Sequence, residues 1–592
     1  MILQALKEYY DRKAEDPESG IAPPGFEKKE LQFLIVIDEE GKFINIEDTR
    51  EKVGSRLVGK SFILPRSKGR SGSKSYATTF LLWDHIGYLL GLPADDEKSG
   101  KQHETWLTAL EALPAELHAD RGVAAILNFY RQNREEGLEK ARSSMQIEEC
   151  LKAPQCNMAF NLSGDAPVPC REKVRAYVRQ SVEADLQPEG DDGEADKNDK
   201  TGYCLVTGEQ GVIARTHGRT SINKDTKCLV GFQKNSGYDS YGKEQGYNAP
   251  IISSTEFAYV TGLNTLLKSS AQKLLIGDAT TVFWSKQASS FESDFAIFFK
   301  EPEKDSPDNR SEKVRALFEA VNSGAGYCDD DGGNSFYILG LSPNAARIAV
   351  RFWHDGTIAD YATKIKQYFD DFKIIKPPGE QEYYSVWRIL VNVATQDKSE
   401  NIPPNLAGEF MRSIIAGTPY PATLLQAALR RIRSDTQNRV KPVRAALIKA
   451  CLNRHARTYP QYKQKEVEFS LDIAQPSIGY QLGRLFATLE KIQEEANPGI
   501  NATIRERYYG AACATPVTVF AVLLRLKNHH LAKLPNRGRA VNFERLLGEI
   551  MSHLNDFPAH LDLHEQGRFA IGYYHQRQDF FNKKADTVDS EE

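Results

Sequence analysis

The chain has 592 residues, 41% of them hydrophobic, with 76 Lys and Arg against 80 Asp and Glu for a net charge of −4. That length exceeds a single hydrophobic core and sets an expectation of roughly two to four domains. No apolar run is long enough to span a bilayer, no signal peptide opens at Met1, and the eight cysteines form neither a CxxC pair nor a dense even framework, which points to a cytoplasmic protein with reduced thiols and no membrane partner.

Taken in order, periodicity predicts a short amphipathic helix over 2–13, with Leu3, Leu6 and Tyr10 on one side. Strands follow at 31–37 and 42–46 around a Glu39-Glu40-Gly41 turn, with a third at 57–64. The near-neutral total hides segregation. From Arg56 to Trp83 six basic residues (Arg56, Lys60, Arg66, Lys68, Arg70 and Lys74) meet no acid. Within 65–74 the cations alternate with Ser and Gly in a segment that has nothing to bury, so ordering it needs a partner that offsets the lost entropy. Amides, hydroxyls and Lys or Arg grip phosphate, and Arg or Lys also reach base edges. A solvated surface loop has the same composition.

Order resumes over 76–91, helices are expected at 104–113 and 123–133, and the acidic Gly/Asp stretch 187–200 reads as a loop or linker. Two short β-type runs, 203–206 and 228–232, precede a loop at 237–250 that sets Tyr238, Tyr241 and Tyr247 among Gly242, Gly246 and Lys243. Aromatic faces stack bases and Lys meets phosphate; tyrosines filling a domain junction are the alternative. Ser253 as N-cap with Glu256 three residues on predicts a capping box, and Phe257, Val260, Leu263 and Leu267 share the helix face behind it. Strands are expected at 293–299 and 335–340, with an acidic loop and a helix at 313–321 between them. In a further strand, 346–353, Arg347, Ala349 and Arg351 face one side, toward a phosphate chain or toward this chain's own acidic loops.

Beyond residue 361 the pattern is helical, apart from a loop near 374–381. From Met411 to Lys465 twelve basic residues accompany one acid, Asp435, on amphipathic helices at 421–433 and 442–455. An amphipathic helix needs a polar face in any case. This imbalance is too large for solvation alone and predicts contact with a polyanion or an acidic protein. Helices at 481–496, from Thr515 (N-cap) and Pro516 to 530, at 543–554 and at 569–580 make an antiparallel four-helix bundle the default. Arg505, Arg507, Arg525, Lys527, Lys533, Arg537 and Arg539 form a second basic zone there. The residues alone therefore describe an α+β protein, a mixed front domain with antiparallel sheets and an all-helical region behind it, that binds nucleic acid.

Catalytic motifs are missing: there is no GxxxxGK[ST] loop, HExxH or GxSxG, so no catalytic residue is assigned and no cofactor is expected. Cys204, His217 and Cys228 are zinc-ligand types, but their spacings fit no common zinc framework, and no metal site is assigned.

Several long motifs resemble one family. SYGKEQGYNAP (240–250), FAYVTGLNTLL (257–267) and IGDATTVFW (276–284) are similar to the large subunit of type I-C CRISPR Cascade complexes, the Csd family. So are ILQALKEYYDR near the start, GFEKKELQFLIVIDEEGKFINIED, LSPNAARIAVRFW, GYQLGRLFATLEKIQ and GRFAIGYYHQRQDFF, so the resemblance spans nearly the whole chain. It implies a non-catalytic subunit of an RNA-guided antiviral complex that reads the protospacer-adjacent motif in double-stranded DNA, promotes duplex opening, stabilises the R-loop and supports recruitment of a helicase-nuclease. The implied partners are the CRISPR RNA ribonucleoprotein with its backbone and handle-binding subunits, target DNA, the helicase-nuclease, and a small subunit made from an internal start in the same gene. On this reading residues 1–360 form the motif-recognition and docking domain (acidic loop 183–200), 361–465 a basic helical connection, and 466–592 a small-subunit-like bundle.

Motif reading is assigned to Lys60, Lys68, Arg70, Ser71 and Lys74, with Tyr241, Lys243 and Asn248 as second choice. Backbone holding is assigned to Arg430, Arg431, Arg433, Arg444, Arg454, Arg505 and Arg507. Two other classes compete: a nuclease or RNA-processing enzyme, and a basic helical scaffold for an acidic protein.

Overall fold

The structure, a computed structural model, describes residues 2–53, 56–67, 70, 74–93, 96–153, 155–186, 200–222, 225–234, 237, 239, 241–276, 279–299, 308–323, 333–344, 347–435 and 440–581. The acidic stretch 187–199 lies outside them. The chain divides into two compact units, Met1–Thr265 and Leu266–Glu592.

In the first unit Phe33–Ile37 is apolar at every position and buried at every position, because both faces of its sheet are covered. Strand order is Phe43–Asp48, Phe33–Ile37, Asn157–Leu162, Trp83–His85, with the middle pair parallel and the outer pairs antiparallel. Phe33, Ile35 and Ile37 meet Trp106, Ile126, Phe129 and Phe160, whereas Leu34 joins Leu31, Leu64 and Trp83 on the other side. The helices that cover the first face, Glu97–Glu111 and Arg121–Arg131, are started by Asp96 and Asp120, whose carboxylates accept from backbone N–H groups two and three residues on. The strand expected at 57–64 is two strands: Arg56–Val58 pairs with Glu51–Val53, while Lys60–Pro65 pairs with Phe26–Leu31. Two small hairpins follow, Thr201–Tyr203 with Gln210–Val212 and Arg219–Ile222 with Asp225–Cys228. The β-type runs expected at 203–206 and 228–232 share only Tyr203 and Cys228 with these strands; the remaining residues of both runs are turn and loop.

The second unit opens with an antiparallel sheet ordered Lys273–Ile276, Ala279–Ser285, Ser335–Asn344, Arg347–Thr357. The expected strand at 293–299 is a helix, Phe291–Phe299. Its phenylalanines, Phe291, Phe295 and Phe298, recur at helical spacing; Phe291 and Phe295 pack on Phe283 and Phe336 of the sheet and Phe298 meets Phe369, so a short apolar run was the wrong guide there. The core continues without a break from these residues through Tyr361, Phe410, Leu425 and Ile448 to Leu485 and Ile571. The second sheet thus shares its core with the helices that follow, and those helices share theirs with the terminal bundle, within the compact unit Leu266–Glu592.

That bundle contains five helices among the described residues, Ile478–Ala496, Ile504–Ala514, Val517–Ala532, Arg537–Ser552 and Leu563–Asp579, one more than expected. The first and last approach so closely that a Cβ on Gly483 would lie 2.1 Å from the Phe569 carbonyl oxygen. Pro516, not Thr515, occupies the N-cap position of the third helix, a shift of one residue.

Candidate nucleic-acid interface

The basic front loop begins where the Lys60–Pro65 strand ends. Lys60 is exposed, its ammonium 5.7 Å from the Phe62 ring centroid. Lys74 is exposed just before the turn of helix Ser75–Ala77. Lys68 and Ser71 lie outside the described residues. Arg70 has a different fate. Its Nε donates to the Thr78 carbonyl at 2.7 Å, its two Nη groups grip the fully buried Asp84 carboxylate, one of them at 2.9 Å, and its plane lies over Phe80 and Tyr88 at 3.7 and 4.1 Å. A guanidinium bound on its edge and stacked on its faces is a clamp of the fold and does not extend as a base reader.

Arg66, at the base of the same loop, reaches Glu256 with both Nη atoms at 3.5 Å and lies over Phe257. Glu256 also accepts from the Gly218 amide at 2.6 Å. The expected capping box is therefore absent: Ser253 is inside the Ser253–Lys268 helix, its hydroxyl donating to Val212 O, and Glu256 joins two loops instead of closing a helix end. Beside it the His217 ring lies 2.5 Å from the Tyr259 hydroxyl, and burial lowers the imidazole's pKa. The Cys228 thiol donates to the His217 carbonyl, and the Cys204 sulfur accepts from the Val206 amide. Cys204, His217 and Cys228 each have another partner, and no group of three or more potential metal ligands occurs among the described residues.

The Gly/Tyr loop splits its tyrosines between two tasks. Tyr247 is buried with Cys204, Ile213 and Ile251, and Gly246 sits so tightly on the chain that a Cβ would lie 2.3 Å from Ala214 O. Asn248 donates from Nδ2 to the Lys243 and Gln245 carbonyls at 3.2 and 3.1 Å, bracing the loop. Tyr241 is the reverse: 98% exposed, at φ 50°, with exposed Lys243 two residues on. A large aromatic held in a left-handed conformation and fully presented to solvent has no packing role to explain it. Tyr238 lies outside the described residues.

In the second unit the basic helices turn part of their charge inward. Arg444, fully buried, donates to Asn392 O at 3.0 Å, Asp435 at 2.7 Å and Asp397 at 2.9 Å. Arg431 and Lys441 reach the same Asp397 at 3.2 and 2.7 Å. Burial raises the Asp397 carboxyl's pKa, but Lys441, Arg444 and Arg431 outweigh it and hold the group below the usual carboxylate range. Arg454 pairs with buried Asp371 at 3.0 Å and lies 4.3 Å from the Tyr420 ring centroid; Arg457 reaches Asp371 as well. Arg444 and Arg454 are thus buried struts, and half-buried Arg431 is tied to the same Asp397, so all three are engaged with acids of this chain. Arg430 is exposed without an ion pair among the described residues, and Arg433, also exposed, donates to Gln566 Oε1.

The bundle repeats this sorting. Arg505 is half-buried against Glu506, 2.8 Å, and Glu490, 3.8 Å. Arg507 is exposed beside Tyr508. Arg525, Lys533 and Arg537 are exposed and Lys527 is half-buried, with no ion pair among the described residues. These four were visible in the sequence as part of the second basic zone; what separates them from Arg505 is that Arg505 has an acid beside it in the chain, Glu506, and another, Glu490, brought to it from the preceding helix.

No described helix is long and apolar enough to cross a membrane. The family model described as CRISPR-associated protein (Cas_Csd1) matches residues 6–581. No curated protein matches the chain.

Proposed function

Because the chain belongs to the CRISPR-associated Csd1 family, and that family supplies subunits of Cascade complexes, we propose that it is the non-catalytic large subunit of a type I-C RNA-guided antiviral complex. It recognises a protospacer-adjacent motif in double-stranded DNA, promotes duplex opening, stabilises the R-loop and supports recruitment of the helicase-nuclease. The single observation that carries the reading is the family match over nearly the entire chain. Delegating sequence to guide pairing leaves the protein a short duplex motif and the strand backbones to hold.

Within the first unit, Tyr241 and Lys243 move ahead of the loop at 65–74 as readers, with Lys60 and Lys74 as flanking cations. The exposure and backbone conformation of Tyr241 support this order, and the burial of Arg70 against Asp84 removes the strongest cation of the other loop. In the second unit, Arg430, Arg433, Arg507, Arg525, Lys527, Lys533 and Arg537 hold strand backbones. The bundle after residue 466 is also the product of an internal start. Its last helix packs Gly567 against Leu425, Ile448 and Leu452 of the preceding helices, so the free product needs another surface to cover that face.

The deciding experiment is a gel shift with guide-loaded complex, with and without this chain, on matched duplexes that differ only in the flanking bases. Motif-dependent binding conferred by the chain is expected. Equal binding without it ends the proposal, as does cleavage by the chain alone, which would favour the enzyme reading. Synonymous changes around the proposed start should abolish a short C-terminal product; its persistence rejects the internal start.

A further inference from the structure

A groove of about 520 Å³ opens between helix Ala422–Ser434 and the first turn of helix Leu563–Asp579. One stripe of the first helix lines it: Gln426, Leu429, Arg430, Arg433 and Ser434 stand at positions i, i+3, i+4, i+7 and i+8, with Leu563 and Gln566 opposite. Half-buried Leu563 supplies apolar surface, with Leu429, only 3% exposed, lining the wall beside it; the arginines and amides supply the polar groups. Gln566 spends both ends of its amide on position: Oε1 accepts from Arg433 and Nε2 donates to Leu561 O at 2.7 Å. Arg433 is thereby held at the groove before any ligand arrives, whereas Arg431, on the neighbouring helix face, is drawn away to Asp397.

We propose that this groove seats single-stranded DNA, two successive phosphates on Arg430 and Arg433 and one unstacked base against Leu429 and Leu563. Residues three apart on a helix stand about 5–6 Å apart at Cβ, close to the spacing of neighbouring phosphates along an extended strand. The volume lies within the range of sites that enclose a molecule of nucleotide size, and the exposed Gln426 amide meets the base edge. The proposal rests on the nucleic-acid-binding reading above and adds to it a specific seat with a base in it.

The test is fluorescence anisotropy of the full chain with a fluorescein-labelled oligo-dT over a salt series. Gln426→Trp fills the groove without changing charge, and Arg430→Ala removes the open cation; both positions are exposed, so both variants are expected to fold. Each should weaken binding roughly three- to tenfold. Arg430→Ala should flatten the log–log salt slope by about 0.7, and Gln426→Trp should leave it unchanged. Wild-type affinity in both variants, together with a loss in Arg525→Ala/Lys527→Ala, overturns the groove and leaves the broader reading standing. No salt-dependent binding by the wild type overturns both. If polyglutamate binding fails in Arg430→Ala while oligo-dT binding persists, the groove belongs to an acidic peptide and the proposal is wrong.

Discussion

Arg444 in helix Pro442–Thr458 is fully buried among two aspartates and a carbonyl, whereas Arg525 in helix Val517–Ala532 is exposed with no ion pair among the described residues. Both come from segments where cations far outnumber acids. Besides Asp435 within it, the first segment is neutralised by Asp371 and Asp397, which lie before it in the chain and return to it only in the fold. Among the described residues no comparable acid comes back to Arg525, Lys533 or Arg537. Local charge imbalance therefore marks two different things, an interior lattice awaiting distant partners and a surface awaiting an external one.

The largest effect that could break this contrast is on stability. Arg444→Ala leaves Asp397 and Asp435 without their buried partner and is expected to cost about 3–5 kcal/mol, read as a lowered midpoint in urea. The affinity of the folded fraction for DNA should not change. An unchanged midpoint with weakened DNA binding would move Arg444 to the surface class and dissolve the distinction.

Much of the fold was legible where one period dominated. The strand expected at 31–37 is present as Phe33–Ile37, and the basic amphipathic helices appear where their apolar stripes placed them, as Ala422–Ser434 and Pro442–Thr458. Phe291–Phe299 was not legible, because a short apolar run satisfies strand and helix patterns alike. The candidate site was legible in kind but not in detail. Lysines and arginines could be counted, but Arg70 and Asp84, Arg66 and Glu256, and Arg444 and Asp397 are paired by topology. Such pairs decide which cations remain for a ligand, and a sequence window cannot see them.

The first unit offers the same contrast between Arg70 and Tyr241. Arg70→Ala leaves buried Asp84 without its cation, with the Phe80 and His85 amides still donating to it, and is expected to destabilise by roughly 3 kcal/mol. Tyr241→Ala removes a side chain that touches almost nothing, so stability should stay within about 0.5 kcal/mol while motif-dependent duplex binding by the loaded complex falls. Reversed outcomes would return motif reading to the loop at 65–74.

Buried His575 extends the inward class to titration. Its Nδ1 lies 2.9 Å from the Tyr480 hydroxyl, which itself accepts from the Asp472 amide at 3.1 Å. Burial lowers the imidazole's pKa from 6.5 to about 3. Between those values the unfolded chain binds a proton that the folded chain refuses, so stability is complete above 6.5 and is lost as pH falls toward 3, by up to about 1.4 kcal/mol per pH unit. Paired carboxylates such as Asp397 add loss in the same direction at the acid end. His575→Gln should flatten the dependence between pH 6.5 and the carboxylate range; an unaltered slope would place a protonated histidine in the native state.

The smallest stability effect belongs to the outward class, and it is the one that gives the comparison functional content. Arg525→Ala, Lys533→Ala and Arg537→Ala together remove three exposed charges that make no ion pair among the described residues, so unfolding should shift by no more than about 0.5 kcal/mol per site. If these cations hold a strand, binding to every DNA should weaken alike. The salt slope should then fall by about 0.7 for each single-strand phosphate no longer neutralised, or about 0.9 for each in a duplex. Preference among flanking motifs should not change, because a phosphate carries no base identity. A variant that keeps its salt slope but loses motif preference would mean that the bundle reads sequence, and the division between a reading unit and a holding unit would have to be reversed.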